Sequence, residues 1–325
     1  MLRRHNAAIV FRRLPTGEST NLDARCASCF SHFRHTMQTR TAQILIPTTF
    51  VMLWSTGFIG ARLGLPYSEP FTFLGIRLAI TAALLGVVGL VLRSPWPARW
   101  MDAGHIALVG FLLHVCYLGG VFYAIELGMP TGIAALIVGL QPILTAILAQ
   151  IALRESVSLR QWSGLLLGFV GAAMTLLDRT GGGSDLSFLA IAAILTALVG
   201  ITIATVYQKR FCTDMDLISG TTIQYLSAAT VFGLGSLLFE TREIQWTGEF
   251  LFALGWLILV LSIGAVMLLM VLLKHGSAAR VTSLFYLTPP LTAVLGFLLF
   301  DENLGLLAMA GMLVAVTGVA QVVRR

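Results

Sequence analysis

Arg77 is the one basic residue that lies well inside an apolar stretch of this sequence. A guanidinium can hold a carboxylate through two parallel hydrogen bonds, so Arg77 is a candidate contact for an anionic group of a solute. Two structural alternatives stand beside that interpretation. The side chain could clamp backbone carbonyls, or it could extend along apolar surface until its charged end reaches the interface.

His114 and Tyr117 form a second candidate pair, three residues apart in another apolar stretch. In an α-helix that spacing places both side chains on one face. Imidazole titrates near neutral pH, so His114 is a candidate proton carrier. A lone histidine in such a position more often bonds to a neighbouring helix, and proton coupling therefore stays one of two open alternatives.

Prolines follow polar residues at two places, in Gln141-Pro142 and in Thr288-Pro289-Pro290. Proline removes an intrahelical hydrogen bond and bends the helix, which leaves carbonyl groups free. We expect the three prolines to act as hinges, and Gln141 and Thr288 to line a cavity. A kink that serves packing alone is the alternative.

Trp54, Gln224 and Tyr286 complete the candidate cavity, because aromatic and amide side chains suit organic solutes. Each of the three could equally be a packing residue. Together with Arg77 and the residues named above, they form the predicted substrate-binding set.

The sequence gives little support for a metal site, an enzyme active site or a nucleotide-binding site. Cys26 and Cys29 are followed by His32 and His35, but this spacing is too tight for an ordinary zinc module. The apolar stretches hold one histidine and no deep Asp or Glu, whereas a membrane enzyme needs clustered groups of this kind. A phosphate-binding P-loop is also missing. We therefore expect no catalytic site, no metal and no cofactor.

The composition indicates that membrane helices position these residues. Hydrophobic residues make up 57% of the chain and charged residues 11%, with a mean hydropathy of +0.87, whereas soluble domains carry about a quarter charged residues. Ten apolar segments are each long enough to cross a hydrocarbon core of roughly 30 Å. They cover residues 43–64, 70–92, 104–125, 130–152, 161–178, 186–208, 218–239, 250–272, 278–300 and 304–323. The sequence predicts an all-α membrane protein with ten transmembrane helices.

The distribution of Lys and Arg predicts a cytoplasmic N-terminus and C-terminus. Apart from the N-terminal tail, ten basic residues fall on the predicted inside and three on the outside. The inside residues are Arg93, Arg99, Arg154, Arg160, Lys209, Arg210, Lys274, Arg280, Arg324 and Arg325, and the outside residues are Arg62, Arg179 and Arg242. The net charge of +6 therefore reflects topology and does not indicate a nucleic-acid partner.

An internal repeat divides the chain in two. Pro142 aligns with Pro289 at a shift of 147 residues (289 − 142), and the same shift places Glu155 on Glu302 and Arg77 on Gln224. Five helices per half make the halves inverted repeats, a plan that suits alternating access. The predicted repeats cover residues 41–178 and 186–325, and the Gly-rich helices at 161–178 and 304–323 are predicted close-packing surfaces. Residues 1–40 form a basic tail, either disordered or preceding the true start at Met37, with an organellar transit peptide as a weaker alternative.

The residues resemble the EamA-type family of drug/metabolite transporters. Residues 132–177, with Leu140-Gln141-Pro142 and Glu155, are similar to the end of an EamA repeat, and residues 281–323 are similar to its second copy. Trp54 and Arg77 also fit the first repeat, whereas the second has Ile201 and Gln224 at those positions. The resemblance implies a carrier of amino acids, drugs or other metabolites, often outward.

We therefore expect a secondary-active carrier in the inner or plasma membrane, exporting a small molecule by alternating access. A non-transporting receptor or scaffold is the main alternative, and an intramembrane enzyme is a weaker one. The coupling ion stays open, a proton included, as does the oligomeric state, a homodimer included.

Overall fold

Helices account for most of the residues that the computed structural model describes, which are residues 40–129, 131–177, 187–300 and 305–323. These residues contain no β-sheet, only an isolated bridge between Ser68 and Ile244. The basic tail, with the cysteine and histidine residues weighed as zinc ligands, lies outside the described residues. In chain order the helices are α1 (Arg40–Gly64), α2 (Pro70–Val91), α3 (Trp100–Glu126), α4a (Thr131–Val138), α4b (Gln141–Leu153), α5 (Leu159–Leu177), α6 (Phe188–Phe211), α7 (Leu217–Phe239), α8 (Gly248–His275), α9a (Ala278–Ser283), α9b (Thr288–Phe300) and α10 (Leu306–Val323).

Seven of these segments are long and apolar enough to cross a membrane, with mean hydropathies between 1.4 and 2.9. They are α2, α3, α6, α7, α8, α10 and the stretch Ala134–Leu153, which joins the two parts of α4. A chain with this many apolar helices is an integral membrane protein. The prediction of an all-α membrane fold is therefore confirmed, while the count of ten stays a prediction for α1, α5 and the two-part α9.

Helices α4 and α9 are interrupted rather than merely kinked. A two-residue turn separates α4a from α4b, and a 3₁₀ segment, Leu284–Leu287, separates α9a from α9b. The downstream helices start at Gln141 and Thr288 and are 13 residues long in both cases. Proline fits the first turn of a helix, where its missing N–H costs nothing. The prolines after Gln141 and Thr288 thus start new helices at positions 147 residues apart (288 − 141).

Helices α3 and α8 each contain a π-helical segment of nine residues, Phe111–Gly119 and Leu257–Ala265. Shifting the first by 147 residues gives 258–266, one residue from the second. A π-helix is wider than an α-helix and is frequent at functional sites. His114 and Tyr117, which were predicted to share one face of an α-helix, both lie in the first π segment, so their common face stays a prediction.

Helices α5 and α10 cross at glycines. A Cβ atom on Gly171 would lie 2.2 Å from the backbone nitrogen of Ala315, and one on Gly318 would lie 2.3 Å from that of Gly168. Gly164 meets Gly318 while Gly171 meets Gly311, so the two helices run antiparallel. Small residues allow this close approach between membrane helices, which confirms the predicted packing surfaces.

Helices α2 and α7, which the 147-residue shift superimposes, also pack antiparallel against each other. The hydroxyl groups of Thr72 and Ser236 lie 2.7 Å apart near one end, and Gly89 packs against Ile218 near the other. Phe73, Leu74, Leu78, Tyr225 and Phe232 form part of the main buried cluster between the two helices and their neighbours. This core surrounds Arg77 and brings α2 and α7 together with the π segments of α3 and α8.

Candidate functional site

Arg77 lies in the eighth position of α2 and is only 4% exposed. Its Nε donates a hydrogen bond to the hydroxyl of Ser262, at 3.1 Å, in the π segment of α8. The side chain is therefore buried between helices and does not reach the interface, which removes one of the structural alternatives. Among the described residues, no carboxylate pairs with Arg77 and no acceptor bonds to its two terminal amino groups.

Tyr225 lies on α7 and meets the same segment of α8. Its hydroxyl donates to the backbone carbonyl of Ser262 at 2.5 Å, and its side chain is fully buried. In an α-helix the carbonyl of Ser262 would be expected to bond to a backbone N–H one turn later. The wider π turn of α8 therefore occurs where Ser262 bonds to two other helices. Its hydroxyl accepts from Arg77, and its backbone carbonyl accepts from Tyr225.

His114, in the π segment of α3, stacks against Tyr225 with ring centroids 4.7 Å apart. The ring is 5% exposed, and its Nε2 has no hydrogen-bond partner among the described residues. Tyr225 therefore links His114 to Arg77, because Tyr225 and Arg77 both bond to Ser262. We call Arg77, His114, Tyr225 and Ser262, which come from α2, α3, α7 and α8, the arginine cluster.

Two members of the arginine cluster, Tyr225 and Ser262, were not among the residues that the sequence predicted. A single serine in an apolar helix is a weak signal, because its hydroxyl can bond to its own backbone. Tyr225 had a stronger signal, since it directly follows Gln224 in an otherwise apolar stretch.

Gln224 is buried but belongs to a different group of residues. Its Nε2 donates to Oε1 of Gln208 on α6 at 2.9 Å, while its own Oε1 has no partner among the described residues. Gly110 of α3 packs directly on the Gln224 backbone, where a Cβ atom would lie 2.4 Å from the carbonyl oxygen. The residue that aligns with Arg77 in the repeat therefore contacts α6 and α3 and makes no contact with Ser262.

A small pocket, which we call the cavity beside Gln208, opens at the end of α6. Lys209 and Lys274 are its two charged residues, and no acidic side chain lines it. The complete lining is Gln208, Lys209, Cys212, Thr213, Met215, Leu217, Met270, Leu273 and Lys274. The hydrogen bond from Gln224 to Gln208 connects this cavity with the helix that carries Tyr225.

The start of α4b and that of α9b hold further predicted residues. Gln141 is buried and its Nε2 lies 3.4 Å from the hydroxyl of Thr205 on α6, a long contact. Thr145, one turn later, and Thr288 are both buried with hydroxyl groups that lack partners among the described residues. Polar groups thus follow both helix breaks, and their role in lining a cavity stays a prediction.

Trp54 packs against the main buried cluster and against a second one, whereas Tyr286 belongs to the second alone. Trp54 packs edge-to-face on Phe285, with centroids 5.1 Å apart, and on Phe50. Tyr286 packs against Gly168 of α5, and its hydroxyl has no partner among the described residues. Tyr117 is partly buried near Gly200 of α6. The predicted set therefore divides into separate groups of contacts.

Glu155 joins three helices at the end of the molecule that carries Lys209. Its carboxylate pairs with Lys209 at 2.6 Å and accepts a hydrogen bond from the backbone nitrogen of Ala278 at 3.1 Å. Lys209 also donates to the carbonyl of Gly276. This contact links the loop after α4b, the end of α6 and the start of α9a.

Comparisons with known proteins place the whole chain among transporters. The model of the EamA-like transporter family matches twice, over residues 42–177 and 188–324. The "Uncharacterized transporter YvbV" of Bacillus subtilis is 30% identical, over 88% of this chain and 92% of the relative. The "Uncharacterized inner membrane transporter YedA" of Escherichia coli K12 is 28% identical, over 78% and 81%.

Two more distant similarities add context. The "Probable amino-acid metabolite efflux pump" of Escherichia coli K12 is 22% identical, over 82% of this chain and 90% of the relative. A solved structure described as "Crystal structure of protein" has a TM-score of 0.74 at 21% identity and covers 87% of this chain and 98% of its own. The structural match concerns the fold alone.

Proposed function

Because the chain belongs to the EamA-like transporter family, we propose that it is a secondary-active carrier that works by alternating access. One observation carries the proposal: helices that occupy equivalent positions in the two family matches pack antiparallel on each other. The pairs are α2 with α7 and α5 with α10. Antiparallel packing of equivalent helices is expected when two repeats are inverted in the membrane.

Helices of one half also contact helices of the other half that are not their repeat equivalents. Leu53 of α1 packs on Gly264 of α8, and the backbone of Tyr117 in α3 packs on Gly200 of α6. Adding 147 to Leu53 and Tyr117 gives 200 and 264, so the two contacts are equivalent. Each half therefore depends on the other for its core, which supports conformational change by movement of one half against the other.

We further propose that α1, α5 and the two-part α9 also cross the membrane, which completes ten spans with both termini in the cytoplasm. The basic residues at the ends of the helices support this orientation. Residues 41–178 and 186–325 are then the two inverted repeats. In this topology Lys209, Lys274 and Glu155 lie at the cytoplasmic end, where the cavity beside Gln208 opens.

The proposed direction is export, and the proposed cargo is a small metabolite or drug. A relative named as an efflux pump supports the direction. The proposed solute cavity is lined by Arg77, His114 and the polar residues that follow the breaks at Pro142 and Pro289. Trp54 and Tyr286 are its proposed aromatic walls, and Gln224 connects it with the cytoplasmic cavity. A gradient of protons or of the solute itself supplies the energy.

Transport by the purified, reconstituted protein tests this function. Proteoliposomes would be loaded with a panel of labelled amino acids, nucleobases and cationic dyes, and flux would be measured with and without a pH gradient. Saturable flux that empty liposomes lack is the expected result, and its dependence on the gradient identifies the coupling ion. Binding without flux would contradict the carrier and favour a receptor.

A further inference from the structure

The guanidinium of Arg77 has a charge that the described part of the protein leaves uncompensated. Only its Nε is bonded, to an uncharged hydroxyl, and no described carboxylate forms an ion pair with it. A buried charge without a partner is strongly unfavourable, because the energy of hydration is lost. A chain that keeps such a group at membrane depth gains most when an anion completes the pair.

The remaining members of the arginine cluster surround Arg77 with groups suited to one end of an organic anion. Tyr225 is already committed to the carbonyl of Ser262 and holds α7 and α8 in place around the guanidinium. His114 is buried, and its Nε2 has no hydrogen-bond partner in the described part of the protein. An Nε2–H would add one neutral hydrogen bond to those that the guanidinium donates.

The charge count favours a carboxylate over a phosphate group. The cluster has one permanent cation, which balances one negative charge, and the planar fork of Arg matches the two oxygens of a carboxylate. A phosphate monoester carries close to two negative charges at neutral pH and is better matched by several cations. The aromatic rings of His114 and Tyr225 leave an apolar wall beside the fork.

The cavity beside Gln208, which a hydrogen bond from Gln224 joins to α7, has the same sign of charge as the arginine cluster. Lys209 and Lys274 are the charged groups of the cavity at the end of α6, and its lining contains no acidic side chain. A cleft lined by charges of one sign concentrates solutes of the opposite sign. Lys209 is partly neutralised by Glu155, so Lys274, which is exposed, contributes most of this effect.

We propose that the arginine cluster binds the carboxylate of a monoanionic organic solute, with Arg77 as the direct contact, Ser262 and Tyr225 as positioning residues and His114 as a second donor. The proposal rests on the proposed carrier function and names the class of its cargo. It identifies the charged end of the solute as a carboxylate. The rest of the solute would contact aromatic and aliphatic side chains.

Matched pairs of compounds test the proposal in purified protein. Carboxylates such as 3-phenylpropionate and 4-methylpentanoate would be compared with their own amides and with phenyl phosphate. Binding would be measured as the shift of the thermal unfolding temperature in detergent, and flux would be measured in proteoliposomes. We expect members of the carboxylate set to bind at least tenfold more tightly than their amides, because a charge-assisted pair is lost in the amide.

Substitutions at Arg77 then locate the contact. Arg77→Gln is expected to abolish the preference for carboxylate over amide, a loss on the order of ten- to hundredfold in carboxylate affinity. Arg77→Lys keeps the charge but not the fork, and is expected to retain part of the preference. Arg99→Gln, the same change at an exposed position, is expected to leave the preference unchanged.

The outcomes separate this proposal from the carrier function. Flux that does not distinguish acids from their amides would overturn the carboxylate site and leave the carrier intact. Carboxylate binding that depends on Arg77 but yields no flux would support the site and contradict the carrier. Tighter binding of phenyl phosphate, a preference that survives Arg77→Gln, or no stabilisation by any carboxylate would each overturn the proposal.

Discussion

The two halves of the molecule agree in how they pack and differ in the polar residues that they bury. Gly164 and Gly171 of the first half meet Gly318 and Gly311 of the second, and each is the repeat equivalent of a residue in the opposite pair. The breaks before α4b and α9b are equivalent too, as are the two π segments within one residue. Backbone geometry has therefore been kept in both halves.

The arginine cluster does not follow the repeat. Subtracting or adding 147 takes Arg77 to Gln224, His114 to Leu261, Tyr225 to Leu78 and Ser262 to Val115. Each cluster residue therefore has an equivalent that cannot supply the same hydrogen bonds or charge. The two halves thus share their backbone geometry, whereas the arginine cluster has no counterpart at the repeat-equivalent positions. This difference fits the proposed carrier, in which both halves move but the solute has one charged end.

The largest effect is expected where the shared scaffold is tightest. Gly171→Leu places a side chain where even a Cβ atom lies 2.2 Å from the Ala315 backbone. Overpacking typically costs about 1–3 kcal/mol, and contact with backbone leaves little room to adapt, so we expect loss of folded protein. Detergent-solubilised yield and size-exclusion profiles measure this. Gly104→Leu, at a helical glycine with open space around it, is the control; equal damage in both variants would refute the packing account.

Exchanging the two equivalent polar residues tests whether the site is one-sided. In Arg77→Gln/Gln224→Arg the chain keeps its charge, but the guanidinium then faces Gln208 and Met215 instead of Ser262. We expect carboxylate binding to fall as far as in Arg77→Gln alone, roughly tenfold or more. Restored binding in the double variant, measured by thermal shift, would mean that the two positions are interchangeable.

A moderate effect is expected at Glu155, which links α4b, α6 and α9a. Glu155→Ala removes a partly buried ion pair with Lys209 and the acceptor for the nitrogen of Ala278. Each interaction is worth roughly 1 kcal/mol, so the unfolding temperature should fall by several degrees. Glu243→Ala, at an exposed loop position, serves as the comparison. An unchanged unfolding temperature in Glu155→Ala would show that the link contributes no stability.

The smallest effect is expected at the opposite end, where Tyr67 donates a hydrogen bond to Glu249. The bond to this carboxylate raises the pKa of Tyr67 above its ordinary value of about 10. Because the neutral form is favoured, the stabilising effect is present below pH 10 and is lost as the pH rises through the raised pKa. Tyr67→Phe should change the unfolding temperature by little at pH 7. An ultraviolet titration that assigns Tyr67 an ordinary pKa would contradict the bond.

Much of the fold was predictable because the bilayer imposes simple rules on sequence. Helix α2, predicted at 70–92, is observed at Pro70–Val91, since a span must be long and apolar. The breaks at Gln141 and Thr288 followed from the prolines after them. The π segments were not predictable, because no residue type in Phe111–Gly119 marks a wider turn.

The site was only partly predictable for a related reason. Arg77 and His114 stood out because charge and imidazole are rare at membrane depth. Ser262 did not, since serine is common in such helices and gains its role only through the distant partners Arg77 and Tyr225. Gln224, which aligns with Arg77, was expected in the cavity because an amide side chain suits an organic solute, but its side chain bonds to Gln208. Repeat alignment gives a residue's position on the scaffold and not its contacts.

Alternating access between two inverted halves is tested most directly by cysteine accessibility at Thr145 and its repeat equivalent Thr292. After replacement of the four native cysteines, each threonine would be changed to cysteine in turn and labelled with a membrane-impermeant maleimide from either face of the membrane. The account predicts labelling of Thr145→Cys from the cytoplasmic face and of Thr292→Cys from the outer face. A transported solute should change the two rates in opposite directions. Labelling of both positions from the same face, or parallel changes in the two rates, would contradict it.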